Sequence, residues 1–465
     1  MSMNIVTREG KSYEDMWEPG CFAGAILAAG TVENSVIAFH APSGCSIWGT
    51  HYRADPITTG IYTPILSTGI HEPEVIHGGT KKLGETVRDV IKRNKWLDPK
   101  VCWIFTADAT SMVGDDIDAV AREVEGETGV NVIALDTPAF SGGYNLGANL
   151  VYAALIDRFA DKDVKKDNSI NIIGPVLSGS RNWSQDFLEI RDLLEAADVK
   201  INTVLTYRTN VEDLKDFAKA NANYSLTSES LSNVEQISEK LGIETFGKDL
   251  ILPYGITNTE EWYLKIAEKF GDVEKAKKRL REDMHFLKTK LNQDYNATWH
   301  FHDMFGKRGA LLGRAPFVSS LARCLFYDYN ARPVVLGILA ETQQAIDSAK
   351  ASLDEMSENL DFDVLINPSY FEFGLAMEKA KVHFSVGQSV DRWLSEGMDI
   401  SNTPLGGLYF QSHFNFVPWP YAGVRGMLNL MTEFSYLMDR VKIEPGYLKA
   451  QSYLRAFLDR EKKEA

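Results

Sequence analysis

Short apolar runs alternate along the chain with longer stretches in which apolar residues recur at helical spacing. In the first third, the runs VIAF, VCWIF and VIAL at 36–39, 101–105 and 132–135 predict strands. Stretches near 80–94, 115–126 and 145–160 predict helices. Short strands separated by helices of this length are typical of βαβ units, which build parallel sheets.

The same alternation continues to the end of the chain. Further predicted strands are INIIG (170–174), INTVLTY (201–207), VVLGIL (334–339), DVLI (363–366) and VHFSV (382–386). We therefore predict an α/β protein of three doubly wound, Rossmann-like domains with parallel sheets and right-handed crossovers. A charged stretch at 160–169 and the GALLG turn that begins near 308 separate the three groups of strands. The expected domains are 1–165, 166–300 and 301–465, the last with the C-terminal helices.

Composition and charge narrow the class of protein. The 465 residues are 44% hydrophobic and 24% charged, which is ordinary for a soluble globular protein of about three domains. A net charge of −15 argues against a nucleic acid as partner. No apolar run approaches the roughly 20 residues that span a bilayer, and the polar N-terminus is unlike a secretion signal. Four cysteines are too few for a disulfide framework and predict a reducing cytoplasm.

Three potential metal ligands lie where the chain reverses direction. Cys21 opens the small-residue helix of EPGCFAGAILAAG, Cys45 ends VIAFHAPSGC, and Asp108 follows VCWIFT. An iron–sulfur cluster usually has four protein ligands, so these three would leave it incomplete and a second chain would have to supply the rest. Cys102 lies within a predicted strand and Cys324 within a predicted helix, and both are expected to be core residues.

These residues stand in a series of motifs that resembles the component 1 subunits of nitrogenase and nitrogenase-like reductases over nearly the whole chain. In that family one Cys opens a small-residue helix, and a second follows some two dozen residues later in a glycine-rich turn. Cys21 and the Cys45 of HAPSGC match these positions, and Asp108 stands where a third Cys precedes Gly-Asp-Asp. Further matches are HGGTKKL (77–83), DTPAFSGG (136–143), LPYGITNTEEW (252–262) and PYAGVRG (420–426).

The chain departs from the family pattern at its third ligand. Asp108 replaces a thiolate with a carboxylate. A carboxylate can still bind iron, as an Asp does in one subunit of dark-operative protochlorophyllide reductase. Short carboxylates also cap helices, so both a ligand role and a capping role remain open for Asp108.

The chain also matches only one of the two residues that bind the large cofactor in the family. Leu226 stands where the cofactor-bearing subunit has its Cys, while His413 stands seven residues before Pro420, the distance of the second cofactor ligand. Because one ligand without the other is poor evidence for a bound cofactor, His413 is interpreted as a structural or pocket histidine. His300 and His302 would share one side of a strand and are interpreted as interface or surface residues.

The resemblance implies a beta-type subunit that shares an iron–sulfur cluster, of 8Fe–7S or 4Fe–4S type, with an alpha-type partner. The partner would carry a cofactor similar to the iron–molybdenum cluster of nitrogenase, in an α2β2 complex fed by an ATP-hydrolysing iron protein. Among the known branches, the chain is most similar to the smaller subunit of methylthio-alkane reductase, which implies reductive C–S bond cleavage. The alternatives are a cofactor-assembly scaffold, the beta subunit of a true nitrogenase, and a metal-free binding module in which both cysteines belong to the core.

Overall fold

The chain folds into three groups of strands and helices, each built on its own sheet. The computed structural model describes residues 3–7, 20–51, 60–249, 251–293, 303–388, 391–407 and 419–438. Within these residues the strands form three sheets, and neighbouring strands in each sheet run parallel. The predicted α/β class with three parallel sheets is therefore confirmed. None of the helices in the ranges given above combines the length and apolar character needed to cross a bilayer.

The first sheet has four strands in the order β3-β2-β4-β5. Its strands are β2 (Ser35–His40), β3 (Ile65–Ser67), β4 (Val101–Thr106) and β5 (Asn131–Leu135). All residues of the two central strands, β2 and β4, are buried. Both strands read as nearly continuous apolar runs because helices cover both faces of the sheet.

In the part of the chain that the structure describes, the helices around this sheet are α1 (Cys21–Ala29), α2 (Ser43–His51), α3 (Glu72–His77), α4 (Thr80–Arg93), α5 (Asp108–Val113), α6 (Ile117–Thr128) and α7 (Tyr144–Phe159). On one face, α1 and α7 touch backbone to backbone at two glycines. A Cβ on Gly24 would lie 1.8 Å from the carbonyl oxygen of Tyr144, and a Cβ on Gly147 would lie 1.9 Å from that of Cys21. On the other face, α4 and α6 pack on the sheet through residues such as Leu83 and Val120.

The second sheet has the order β7-β6-β8-β9. Its strands are β6 (Ser169–Ile173), β7 (Lys200–Leu205), β8 (Ala222–Ser225) and β9 (Glu244–Phe246). The helices of this group are α8 (Trp183–Ala196), α9 (Ser232–Lys240), α10 (Gly255–Phe270) and α11 (Val273–Gln293). One apolar core runs from this group into the third without a break, which joins the two groups through packing.

The third sheet has six strands in the order β1-β12-β11-β10-β13-β14. They are β1 (Met3–Thr7), β10 (Arg308–Arg314), β11 (Arg332–Leu339), β12 (Phe362–Ile366), β13 (Phe384–Val386) and β14 (Ser401–Thr403). Its helices are α12 (Ala315–Tyr327), α13 (Gln343–Ser357), α14 (Tyr370–Ala380), α15 (Asp391–Gly397) and α16 over 423–438. The edge strand β1 therefore comes from the opposite end of the chain.

A buried carboxylate attaches the start of α16 to the second group. Asp186 accepts hydrogen bonds from the backbone N–H of Tyr421 at 2.6 Å and of Ala422 at 3.0 Å. Its second oxygen accepts from the hydroxyls of Ser180 at 2.6 Å and Tyr254 at 3.1 Å. Burial raises the pKa of Asp186 to about 6, although these hydrogen bonds oppose the rise.

A second buried carboxylate holds α16 to α11. The side chain of Asp283 has no exposed surface and accepts from Nε of Arg279 at 2.8 Å and from Nε of Arg425 at 2.6 Å. An ionised group at this depth is tolerated because both guanidinium groups compensate its charge.

Candidate metal centre

The three candidate ligands all lie in the first turn of a helix. Cys21 is the first residue of α1, Cys45 is the third residue of α2, and Asp108 is the first residue of α5. Backbone N–H groups at a helix start carry partial positive charge and stabilise anionic side chains. A helix start lowers the pKa of a thiol, but burial outweighs this effect at Cys21 and Cys45, whose pKa values are raised.

Cys45 and Asp108 come together because their turns follow adjacent parallel strands. Strand β2 ends at His40 and β4 ends at Thr106, and these two residues are paired across the sheet. The carbonyl oxygen of His40 accepts the N–H of Ala107 at 3.0 Å, so the strand that leads to Cys45 holds the turn that carries Asp108. Burial raises the pKa of the Cys45 thiol, and the negative charge of Asp108 raises it further.

The segment that carries Cys21 packs against the loop that follows β5. Gly20 forms a β-bridge with Gly143, and a Cβ on Gly20 would lie 2.4 Å from the Cβ of Ala139. Burial raises the pKa of Cys21 to about 11, against a smaller opposing effect of the Ser141 side chain. The single turn Ala139–Ser141 thus contacts the segment that carries Cys21.

Asp108 contacts this turn as well. Its carboxylate accepts the N–H of Ala139 at 2.5 Å. The N-cap of α5 is Ala107 rather than Asp108, so the side chain reaches across to the neighbouring loop instead of capping its own helix. The Ala139–Ser141 turn is therefore the common neighbour of Cys21 and Asp108, while the Asp108 charge acts on Cys45.

The three side chains do not make a complete site by themselves. Among the residues that the structure describes, no group of three His, Cys, Asp or Glu side chains could hold a metal ion. Two thiols and a carboxylate on adjacent turns of one sheet edge fit one side of an iron–sulfur cluster, since thiolates are its usual ligands.

Large apolar side chains are exposed on the same helices and turns. Ile47 on α2, Met112 on α5 and Phe140 on the Ala139–Ser141 turn are 62%, 78% and 57% exposed. On the nearby α3, Val75 and Ile76 are 50% and 65% exposed. Exposed apolar side chains concentrated in one region are typical of a protein–protein interface.

The other two cysteines lie in the core. Cys102 and Cys324 are both fully buried, as the sequence predicted. Burial raises the pKa of each thiol well above its ordinary range. Cys102 belongs to the apolar core between the first sheet and its helices α4 and α6, and Cys324 to the core shared by the second and third groups, so neither lies among the candidate ligands.

The structure says less about the positions that match the family's cofactor ligands and about the other histidines considered above. Leu226 is a buried residue of the core between the second and third sheets. His413, His300 and His302 lie outside the described residues. Sequence reasoning did not assign a role to Ser141 or Ala139, although both lie within the DTPAFSGG motif.

The comparisons with known proteins agree with this fold. Residues 20–438 match the family described as nitrogenase component 1 type oxidoreductase. The chain belongs to this family. As a component 1 type protein, it has the fold of the solved structure described as "Nitrogenase Cp1 at pH 6.5", with a TM-score of 0.74 over 95% of this chain and 96% of that one, at 18% identity.

Two kinds of relatives share recognisable sequence with this component 1 type chain. The nitrogenase iron-molybdenum cofactor biosynthesis protein NifE of Clostridium pasteurianum is 27% identical over 262 residues, which are 55% of this chain and 55% of NifE. The chain thus spans only about half the length of that relative. The nitrogenase molybdenum-iron protein alpha chain of Methanothermobacter marburgensis is 23% identical over 441 residues, covering 89% of this chain and 86% of the relative.

Proposed function

We propose that the chain is one subunit of a nitrogenase-like reductase and that Cys21, Cys45 and Asp108 form one side of an iron–sulfur cluster. The observation that carries the proposal is the convergence of these three residues on adjacent turns at one edge of the first sheet. Three candidate ligands are fewer than the usual four, and exposed apolar side chains lie on the same helices and turns, which supports a cluster shared with a partner subunit. The cluster would be of 8Fe–7S or 4Fe–4S type.

Bound there, the cluster would supply one-electron transfer between an external donor and the partner subunit. The residues of this chain would hold it and tune it. Cys21 and Cys45 must each lose a proton before binding iron, and burial raises the pKa of both thiols. Cluster binding is therefore expected to release protons and to weaken as the pH falls. The starts of α1 and α2 would stabilise the thiolates.

For the reaction, we propose reductive C–S bond cleavage of small methylthio compounds. The partner would be an alpha-type subunit with a cofactor similar to the iron–molybdenum cluster of nitrogenase, and an ATP-hydrolysing iron protein would supply electrons to a cytoplasmic α2β2 complex. Leu226 in place of the cofactor thiolate supports the assignment of this chain as the beta-type subunit without that cofactor.

A second candidate is a cofactor-assembly scaffold that catalyses no reaction of its own. The match to NifE, a cofactor biosynthesis protein, favours this candidate, although it covers about half of each chain. The alpha-chain match covers far more of both sequences at lower identity. The two candidates share the half-site and differ in whether the complex reduces a substrate.

The test is anaerobic purification of the tagged full chain with the partner that co-purifies, followed by iron and sulfide analysis and turnover assays. Methanethiol release from a methylthio compound, with ATP and an iron protein present, supports the reductase. Bound iron without turnover of methylthio compounds, dinitrogen or acetylene supports the scaffold. Iron no higher than in a Cys21→Ala/Cys45→Ala double variant contradicts both.

A further inference from the structure

A buried carboxylate joins three segments next to the candidate metal centre. One oxygen of Asp115 accepts the N–H of Gly79 at 2.7 Å, and the N–H and hydroxyl of Thr80 at 3.0 Å and 2.9 Å. These bonds pair backbone N–H groups at the start of α4 that have no partner within the helix. The other oxygen of Asp115 lies 2.9 Å from Nε2 of His40, and the Asp115 side chain is only 4% exposed.

The imidazole of His40 is held on both sides. Its Nδ1 lies 3.1 Å from the hydroxyl of Thr68, and its side chain has no exposed surface. Since an ionised carboxylate only accepts hydrogen bonds, Nε2 carries the proton that is donated to Asp115. Burial keeps the pKa of His40 below its ordinary value despite the attraction of Asp115, so the ring is neutral and Nδ1 is an acceptor. The Thr68 hydroxyl lies within donating distance of both this nitrogen and the carbonyl oxygen of Ala41, at 3.1 Å and 3.2 Å.

The backbone of His40 and the Thr68 hydroxyl beside its ring contact the two turns that carry candidate ligands. On the Cys45 side, the N–H of Ala41 donates to the Thr68 hydroxyl at 3.0 Å. On the Asp108 side, the carbonyl oxygen of His40 accepts from the hydroxyl of Thr110 at 2.5 Å, in addition to the N–H of Ala107. His40 is thus connected to both turns, and Asp115 fixes the plane of its ring.

The geometry points to His40 and Asp115 as positioning residues that hold the Cys45 turn and the Asp108 turn in register for a shared metal. Neither side chain contacts the candidate ligands, so the pair would act by ordering backbone. The link to a metal rests on the proposed function above. The ordering of the two turns is a property of this chain alone and can be measured without iron.

The chain offers a matched control. Asp116, the next residue, caps α6 by accepting the N–H of Ala119 at 2.8 Å and does not contact His40. Asp115→Ala and Asp116→Ala therefore each remove a helix cap, but only the first also removes the partner of His40. His40→Leu removes the polar contacts of the ring, and His40→Gln keeps a donor that can reach Asp115.

The first measurement is hydrogen–deuterium exchange of the isolated full chain. His40→Leu and Asp115→Ala are expected to raise exchange in peptides covering 41–46 and 107–113 several-fold, while Asp116→Ala raises it only near 117–120. His40→Gln is expected to restore most of the protection. Equal exchange in the two turns for Asp115→Ala and Asp116→Ala would overturn the proposal.

The second measurement is iron retention and the paramagnetic resonance signal of the anaerobic complex under chelator challenge. His40→Leu and Asp115→Ala are expected to lose iron about ten-fold faster than Asp116→Ala and to shift the signal, with recovery in His40→Gln. Iron retention and signal unchanged in both variants would overturn the link to the metal. A wild-type complex without iron would instead contradict the proposed function, while the exchange measurement still decides the ordering role.

Discussion

Gly147 packs directly against the main chain of Cys21. A Cβ at Gly147 would lie 1.9 Å from the Cys21 carbonyl oxygen and 2.6 Å from the backbone nitrogen of Ala25. Both atoms belong to backbone, so neither can move aside as the end of a side chain could. This contact fixes how close α7 comes to the helix that begins with Cys21.

Gly147→Ala is therefore expected to push α1 away from α7 and to lower the free energy of unfolding by about 1–3 kcal/mol or more. Urea denaturation followed by circular dichroism measures the change. Gly126→Ala is the matched control because Gly126 lies in α6 with nothing within 4 Å of the added Cβ. It is expected to be neutral or stabilising by roughly 0.5–1 kcal/mol. Equal effects of the two substitutions would refute the packing argument.

The charge of Asp108 is expected to govern the reactivity of Cys45 in the isolated chain. Asp108 raises the pKa of Cys45, so Asp108→Asn should lower that pKa. The thiolate is the reactive form. Alkylation of the Cys45 peptide near pH 8, followed by mass spectrometry, should become roughly two- to ten-fold faster, which corresponds to a pKa change of up to about one unit.

Asp118→Asn provides the control for this measurement, since it removes the same charge from the exposed first turn of α6. The thiols of Cys21, Cys102 and Cys324 are buried and should react slowly in every variant. An alkylation rate of Cys45 that is unchanged or lower in Asp108→Asn would show that the charge of Asp108 does not raise the pKa of Cys45.

If Asp108 is a ligand, its removal should also change the metal itself. Asp108→Ala is expected to lower iron occupancy or alter the paramagnetic resonance signal of the anaerobic complex, whereas Asp108→Cys should retain iron with a different signal because a thiolate replaces the carboxylate. Spectra identical to wild type for both variants would leave the hydrogen bond to Ala139 as the role of Asp108.

Asp283 is expected to be much more important for stability than the surface ion pairs. Asp283→Ala removes the carboxylate that Arg279 and Arg425 share. Because Arg279 keeps Asp192 as a partner at 2.7 Å, the expected cost is at the lower end for a broken buried pair, about 3 kcal/mol. Glu127→Ala removes an exposed partner of Arg88 and should change the free energy of unfolding far less. Chemical denaturation compares the two variants, and similar losses would argue that Asp283 is solvated in solution.

The pH dependence of stability should contain a contribution from Asp186. Its pKa in the folded chain, about 6, lies above the ordinary value of 3.8. Between these values the folded state binds more protons than the unfolded state, so this group lowers stability as the pH rises through about 6. Asp186→Asn should remove this loss, since the hydroxyls of Ser180 and Tyr254 can rotate to accept from the amide.

The free energy of unfolding of Asp186→Asn, taken relative to wild type, should therefore be higher at pH 7.5 than at pH 5, by on the order of 1–3 kcal/mol. Urea unfolding at the two pH values measures this difference. Asp118→Asn, which changes an exposed carboxylate, should show almost none. A difference of opposite sign for Asp186→Asn would mean that the carboxylate is stabilised by its environment.

The predictable part of the fold is the part in which both faces of a strand are buried. The runs at 36–39 and 101–105 predicted β2 and β4, because a strand covered on both faces must be apolar throughout. Strand β1 was not predicted, since Met3–Thr7 lies at a sheet edge and alternates between partly buried and exposed residues. Its partner β12 is also too distant in sequence for any local pattern to indicate the pairing.

The three candidate ligands were chosen from the sequence and remain a prediction, whereas the contacts that support their turns were not predicted. Cys21, Cys45 and Asp108 could be found because each follows a recognisable turn beside a strand or helix. The contact of Asp108 with Ala139, and that of His40 with Asp115, join residues far apart in the chain. No spacing rule connects such pairs, and they appear only once the carboxyl ends of the strands are brought to one edge.

The pairing of β1 with β12 also affects how the protein is made. Asn4 donates a hydrogen bond to Asp363, which lies 359 residues later in the chain. At roughly 5–20 residues per second, the ribosome needs between about 20 and 70 seconds to produce the second residue after the first. Strand β1 is thus synthesised before every other strand of its sheet, and it must wait without its partner until β12 emerges.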